Sequence, residues 1–140
     1  MLTRVLMAWA LICGLSGAAL GQETKVVALG MADHEVTEQE LAAGAPLSAP
    51  QFNTPAVAYV LAAELKTGDV VELTLSNSDK PLLTNTETLV EDKATVLLQA
   101  GKRGVPAGGW PSEWKYFAKV TITRDGKTLI EQATDPIPFE

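Results

Sequence analysis

Trp114-Lys115-Tyr116-Phe117-Ala118-Lys119-Val120-Thr121-Ile122-Thr123 is the stretch that decides the fold of this chain. Trp114, Tyr116, Ala118, Val120 and Ile122 alternate with Lys115, Phe117, Lys119, Thr121 and Thr123. A period of two places the first set on one face of an extended strand and the second on the other. Arg124-Asp125-Gly126-Lys127 follows. Asp-Gly tolerates the positive φ that a two-residue type I′ hairpin demands, so Thr128 to Gln132 is expected to return as the partner strand.

The same pattern extends upstream. Val71, Leu73 and Leu75 alternate with Glu72, Thr74 and Ser76, which reads as a strand with one wet face. Before it, Val57, Tyr59, Leu61, Ala63 and Leu65 alternate with smaller or polar residues up to a turn at Lys66-Thr67-Gly68-Asp69. Leu83 to Thr88 is a polar, threonine-rich edge strand, and Ala94 to Ala100 is another strand, with Val96 and Leu98 facing one way. Lys25 to Leu29 supplies a first strand, and Thr37-Glu38-Gln39-Glu40 has the capping-box form that opens a short helical turn stopped by Gly44. Pro46, Pro50 and Pro55 make 45–55 an extended linker, and Pro136 and Pro138 mark 133–140 as a tail. About seven short strands with turn signals between them imply an all-β fold, an immunoglobulin-like antiparallel β-sandwich preceded by one short helical turn.

The beginning of the chain reads differently. One positive charge at Arg4, an apolar run from Val5 to Leu15 and small residues from Ser16 to Gly21 form a secretory signal. Three parts are expected: a signal peptide at 1–21, a strand, helix and Pro-rich linker at 22–55, and a sandwich core at 56–140 that the first strand completes. Cleavage after Gly21 removes 21 of 140 residues and leaves 119, one domain's worth. All 17 acidic residues lie beyond the leader, against 10 of the 11 basic ones, for a net charge of −7. That balance argues against nucleic acid as a partner. The lone cysteine, Cys13, falls inside the leader and Ile12 spoils a lipidation box, so neither disulfides nor a thiolate metal site is expected. No apolar run beyond the leader is long enough to span a bilayer. Export to a periplasm or beyond removes ATP, nicotinamide pools and chromosomal DNA from the available chemistry.

No catalytic constellation emerges. His34 is the only histidine, and Glu38 stands where a zinc-protease His-Glu-x-x-His motif needs its second one. The acidic groups Asp33, Glu35, Glu38 and Glu40, and Glu87, Glu91 and Asp92, read as solvated surface rather than as a paired general acid and base. The chain is therefore read as a non-enzyme without cofactor or metal. The distinctive stretch is 101–114, which holds Trp110, Trp114, Lys102, Arg103, Pro106 and four glycines. Aromatic rings beside cations suit stacking on a sugar, a peptide or a partner loop. Trp110 has a stronger structural reading, as a plug in the end of the sandwich, with Gly108-Gly109 letting the backbone turn tightly and Pro111 fixing the strand entry.

From Gly68 to Ile130 the order of features resembles a known family. Gly68-Asp69 precedes an alternating strand. Gly101-Lys102-Arg103, Pro106 and Gly108-Gly109-Trp110-Pro111 follow, and Arg124-Asp125-Gly126 leads into the last strand. This resembles the immunoglobulin-like, non-catalytic accessory domain attached to exported lysostaphin-like zinc metallopeptidases, the peptidoglycan endopeptidases of proteobacteria. Glu113 replaces the glycine usual after Trp-Pro, the following tyrosine is displaced to Tyr116, and nothing corresponds to the peptidase domain or its zinc ligands. The resemblance implies a free-standing accessory module of the cell envelope whose partner is an envelope protein, such as a peptidoglycan hydrolase, or a peptidoglycan-related ligand. A second expectation is a hydrolase inhibitor that acts through the 101–111 loop. Lys102, Arg103, Pro106, Trp110 and Trp114 are the candidate binding residues under either.

Overall fold

The computed structural model describes residues 23–44, 46–78, 80–102, 105–106, 108–111 and 113–140. The expected signal peptide, with Cys13, lies outside them. In chain order the elements are β1 (Lys25–Ala32), α1 (Glu38–Ala43), β2 (Ala56–Leu65), β3 (Val70–Asn77) and β4 (Pro81–Thr88). They continue with β5 (Lys93–Lys102), β6 (Lys115–Arg124), β7 (Lys127–Ala133) and the two-residue β8 (Ile137–Pro138). All pairings are antiparallel. One sheet has the order β1-β2-β5, the other β4-β3-β6-β7, with β8 also bonded to β6. The two stack as an immunoglobulin-like sandwich.

β6 is the central strand of the second sheet, and its alternation is realised. Tyr116, Ala118, Val120 and Ile122 are fully buried, while the intervening residues lie on the outer face. Asp125 and Gly126 both adopt positive φ, 54° and 77°, as a two-residue I′ turn requires. The register closes with Arg124 opposite Lys127.

β2 is apolar on both faces, and the reason is visible. Ala56, Ala58, Val60 and Ala62 point at the opposite sheet and join the main core. Small residues there leave room for the bulky Leu73, Leu75 and Tyr116 that approach from across the sandwich. The larger Val57, Tyr59 and Leu61 look the other way, where the segment carrying α1 covers them. Val36 N–H donates to Gln99 Oε1 (2.8 Å), Gln99 Nε2 returns a bond to Val36 O (3.0 Å), and Thr95 Oγ1 donates to Glu38 (3.0 Å). Gln99 and Thr95 pair with Tyr59 and Ala63, on that same face. Glu64, at φ 60°, interrupts the alternation and returns Leu65 to the core. The capping box that starts α1 is present in full, with Thr37 and Glu40 exchanging bonds, and Gly44 ends it in the left-handed region.

One expectation is corrected. Residues 133–140 are not a tail. Thr134 exchanges two hydrogen bonds with the Ala118 backbone, β8 continues along the same edge of β6, and Phe139 is fully buried. Pro136 and Pro138 suit a strand whose outer edge carries no partner, and the apolar payload of Phe139 holds the segment down.

Candidate functional site

β6 enters the sandwich beneath an aromatic cluster. Tyr116 and Phe139 stack at 3.9 Å with an 8° interplanar angle. Trp110 meets both edge-on, at 6.0 Å and 5.9 Å. Each polar group in the cluster has a partner. Trp110 Nε1–H donates to Thr54 O (2.9 Å), Trp110 N–H to Phe52 O (2.8 Å), and the Tyr116 hydroxyl to Pro111 O (2.9 Å). The chain reaches Trp110 through a turn in which Gly109 N–H donates to Pro106 O (2.8 Å). Gly109 has φ 84°, and a Cβ there would lie 2.8 Å from Phe52 O, so only glycine lets the loop sit so close to the linker.

Above this floor opens a cavity of about 640 Å³, lined by Phe52, Gly108, Trp110, Pro111, Glu113 and Glu140. Its described rim carries two carboxylates. Burial pushes the Tyr116 hydroxyl pKa up, and the Glu113 charge adds to the rise, so the phenol stays a hydrogen-bond donor.

The sequence candidates part company here. Trp110 is only 7% exposed, so its ring is a packing anchor that offers an edge to the cavity. Trp114 is 42% exposed, tilted 56° against Tyr116 at 6.5 Å. The strand starts one residue later than the alternation implied. Trp114 N–H instead reaches back to Pro111 O (3.4 Å), which swings the indole outward from the expected inner face. Pro106 is half-buried and acts through its carbonyl bond to Gly109. Lys102 ends β5 opposite Ala56, its side chain lying outside the described residues together with Arg103. Phe52, 46% exposed on the cavity wall, was missed by sequence reasoning; an isolated aromatic within the proline-rich linker was the available signal.

Asp92, Glu40, Asp33 and Glu38, among the acidic residues that could have served as catalytic groups, have structural partners. Asp92 accepts from Thr67 N–H (2.7 Å) and Thr67 Oγ1 (2.9 Å), which holds its carboxyl below the usual range. Glu40 joins the capping box and His34 Nε2 (2.8 Å). The second His34 nitrogen faces Asp33 at 2.7 Å. These two bonds, Asp33's first, raise the His34 pKa, and an imidazolium donating from both nitrogens fits the geometry. Among the described residues no group of three or more His, Cys, Asp or Glu could hold a metal ion, and no helix is long and apolar enough to cross a membrane.

Comparison with known proteins adds no assignment: no family model matches the chain, and no curated protein does.

Proposed function

We propose that this chain is an exported, non-catalytic binding module of the bacterial cell envelope that partners a peptidoglycan hydrolase. The observation that carries the reading is the exposed Trp114, next in the chain to Glu113 on the rim of a cavity that Trp110 and Phe52 line. Contact energy concentrates in such anchors, where a large ring at low entropic cost meets an adjoining recess. Trp110, Tyr116 and Phe139 fix the floor, so Trp114 and Phe52 are presented by a pre-organised platform. The resemblance of 68–130 to accessory domains of lysostaphin-like endopeptidases supports the choice of partner, and the leader-like residues 1–21 support the compartment.

The test is binding of the purified protein to a lysostaphin-like zinc endopeptidase from the same cell envelope, measured by calorimetry. Trp114→Ala is expected to weaken that binding by about 30-fold, with an unchanged melting temperature. Undiminished binding by the variant, or no binding by the parent, overturns the proposal. N-terminal sequencing of protein recovered from the periplasm checks the compartment separately and should begin at Gln22.

A further inference from the structure

The outer face of the β3–β6 seam carries a second recess. A groove of about 310 Å³ runs along it, near the lower bound of the roughly 300–1,000 Å³ usual for small-ligand sites. Cross-strand register defines its walls. Ser76 lies opposite Phe117, Thr74 opposite Lys119, and Glu72 opposite Thr121. Pro81 of β4 flanks Ser76 from the other side. Strand alternation puts the Ser76 side chain outward, away from the buried Leu75.

Ser76 is the unusual member. It is 7% exposed, and among the described residues nothing hydrogen-bonds its hydroxyl. A buried hydroxyl without a partner costs free energy and calls for an explanation. The neighbouring groups divide into spent and unspent. Lys119 Nζ is held by Glu131 at 3.1 Å, and Thr74 Oγ1 shares a bond with Thr84 at 3.3 Å. The side chains of Glu72 and Thr121 have no such partner among the described residues and line the groove two cross-strand pairs along from Ser76. One end is therefore an apolar wall, Phe117 and Pro81, around an unsatisfied hydroxyl. The other end offers a carboxylate and a second hydroxyl.

We propose that this groove binds a sugar ring of a neutral glycan. A pyranose presents an apolar C–H face to stack on Phe117 and Pro81 and a hydroxyl to meet Ser76, and the next ring of the glycan reaches Thr121 and Glu72, four residues or about 13 Å further along the strands. A peptide strand cannot add here, because the seam is interior to the sheet and the backbone groups of β3 and β6 are already bonded to each other and to their outer neighbours. An anion would face the uncompensated Glu72 while Lys119 is neutralised by Glu131. Among the described residues the groove shares no lining residue with the cavity at Trp110, so it stands or falls independently of the function proposed above.

The test is an amide NMR titration of the purified protein with N-acetylglucosamine hexasaccharide and with cellohexaose, and with a neutral hexapeptide as the control. Saturable shifts centred on Ser76, Phe117 and Thr121 with at least one oligosaccharide are expected. Phe117→Ala should weaken that binding about tenfold and Ser76→Ala about fivefold, while Trp114→Ala leaves it unchanged. The proposal is overturned if neither oligosaccharide produces saturable shifts, if the shifts map to another face, or if the hexapeptide binds the groove equally well. A folded Ser76→Ala variant of undiminished affinity overturns it too, whatever the fate of Phe117→Ala.

Discussion

Strand β6 starts in an aromatic plug and finishes in an ion pair, and the two ends close the sandwich by opposite means. At the start, Trp110, Tyr116 and Phe139 exclude water with stacked and edge-on rings. At the finish, Arg124 grips the fully buried Asp69 through Nε and one terminal nitrogen, both at 2.8 Å, and that nitrogen also reaches Thr24 Oγ1 at 2.7 Å. Lys66 N–H adds a third bond to the Asp69 carboxylate at 2.9 Å. The plug draws on burial, which is indifferent to protons. The ion pair draws on charge in a desolvated place, where a missing partner costs more than the intact pair contributes. Only the second end can be opened by acid.

Mutation should sharpen that contrast. Trp110→Ala removes the largest buried ring and strands the Thr54 carbonyl; a loss of about 3–5 kcal/mol in urea unfolding is expected. Asp69→Ala should cost about 3 kcal/mol, less than the plug because Arg124 is partly exposed and can turn to water. Acid separates the ends directly. Hydrogen bonding from Arg124, against the opposing effect of burial, holds the Asp69 carboxyl below its ordinary pKa. The stability it contributes is complete above the unfolded carboxyl's pKa and drains away as pH falls through the folded one. A urea midpoint that drops in acid for the parent but much less for Asp69→Asn would bear this out; parallel curves would refute it. Trp114→Ala, at a ring that is only partly covered, should change stability by no more than about 0.5 kcal/mol. The smallest effect belongs to His34. Its raised pKa, from Asp33 and then Glu40, means that its stabilising bonds are complete below the ordinary value of 6.5 and fade as pH rises through the folded one. Amide protection factors in α1 that fall on that rise, and hold steady in His34→Gln, are the expected signature.

The hairpin of β6 and β7 was legible because its alternation is strict and Asp-Gly admits one turn geometry. α1 was legible from its reciprocal Thr37–Glu40 cap. The facing of β2 was not: both its faces are apolar, and only the α1 segment, brought in by Gln99, decides which side is covered. Phe139 was hidden by flanking prolines, whose local rule says loop while tertiary burial says strand. Of the site, the Trp110 and Trp114 pair could be read, but their opposite fates depend on a backward turn at Pro111 that spacing does not encode. Ser76 looked like any wet-face serine until Phe117 and Pro81 closed around it.

The blanket that α1 and its flanks draw over the outer face of β2 gives that strand a roof on each side and a neighbour along each edge. Its amide protons should therefore be the last in the molecule to exchange with deuterium, released only by global unfolding. Those of β4, outermost in its own sheet and dressed in threonines, should go early.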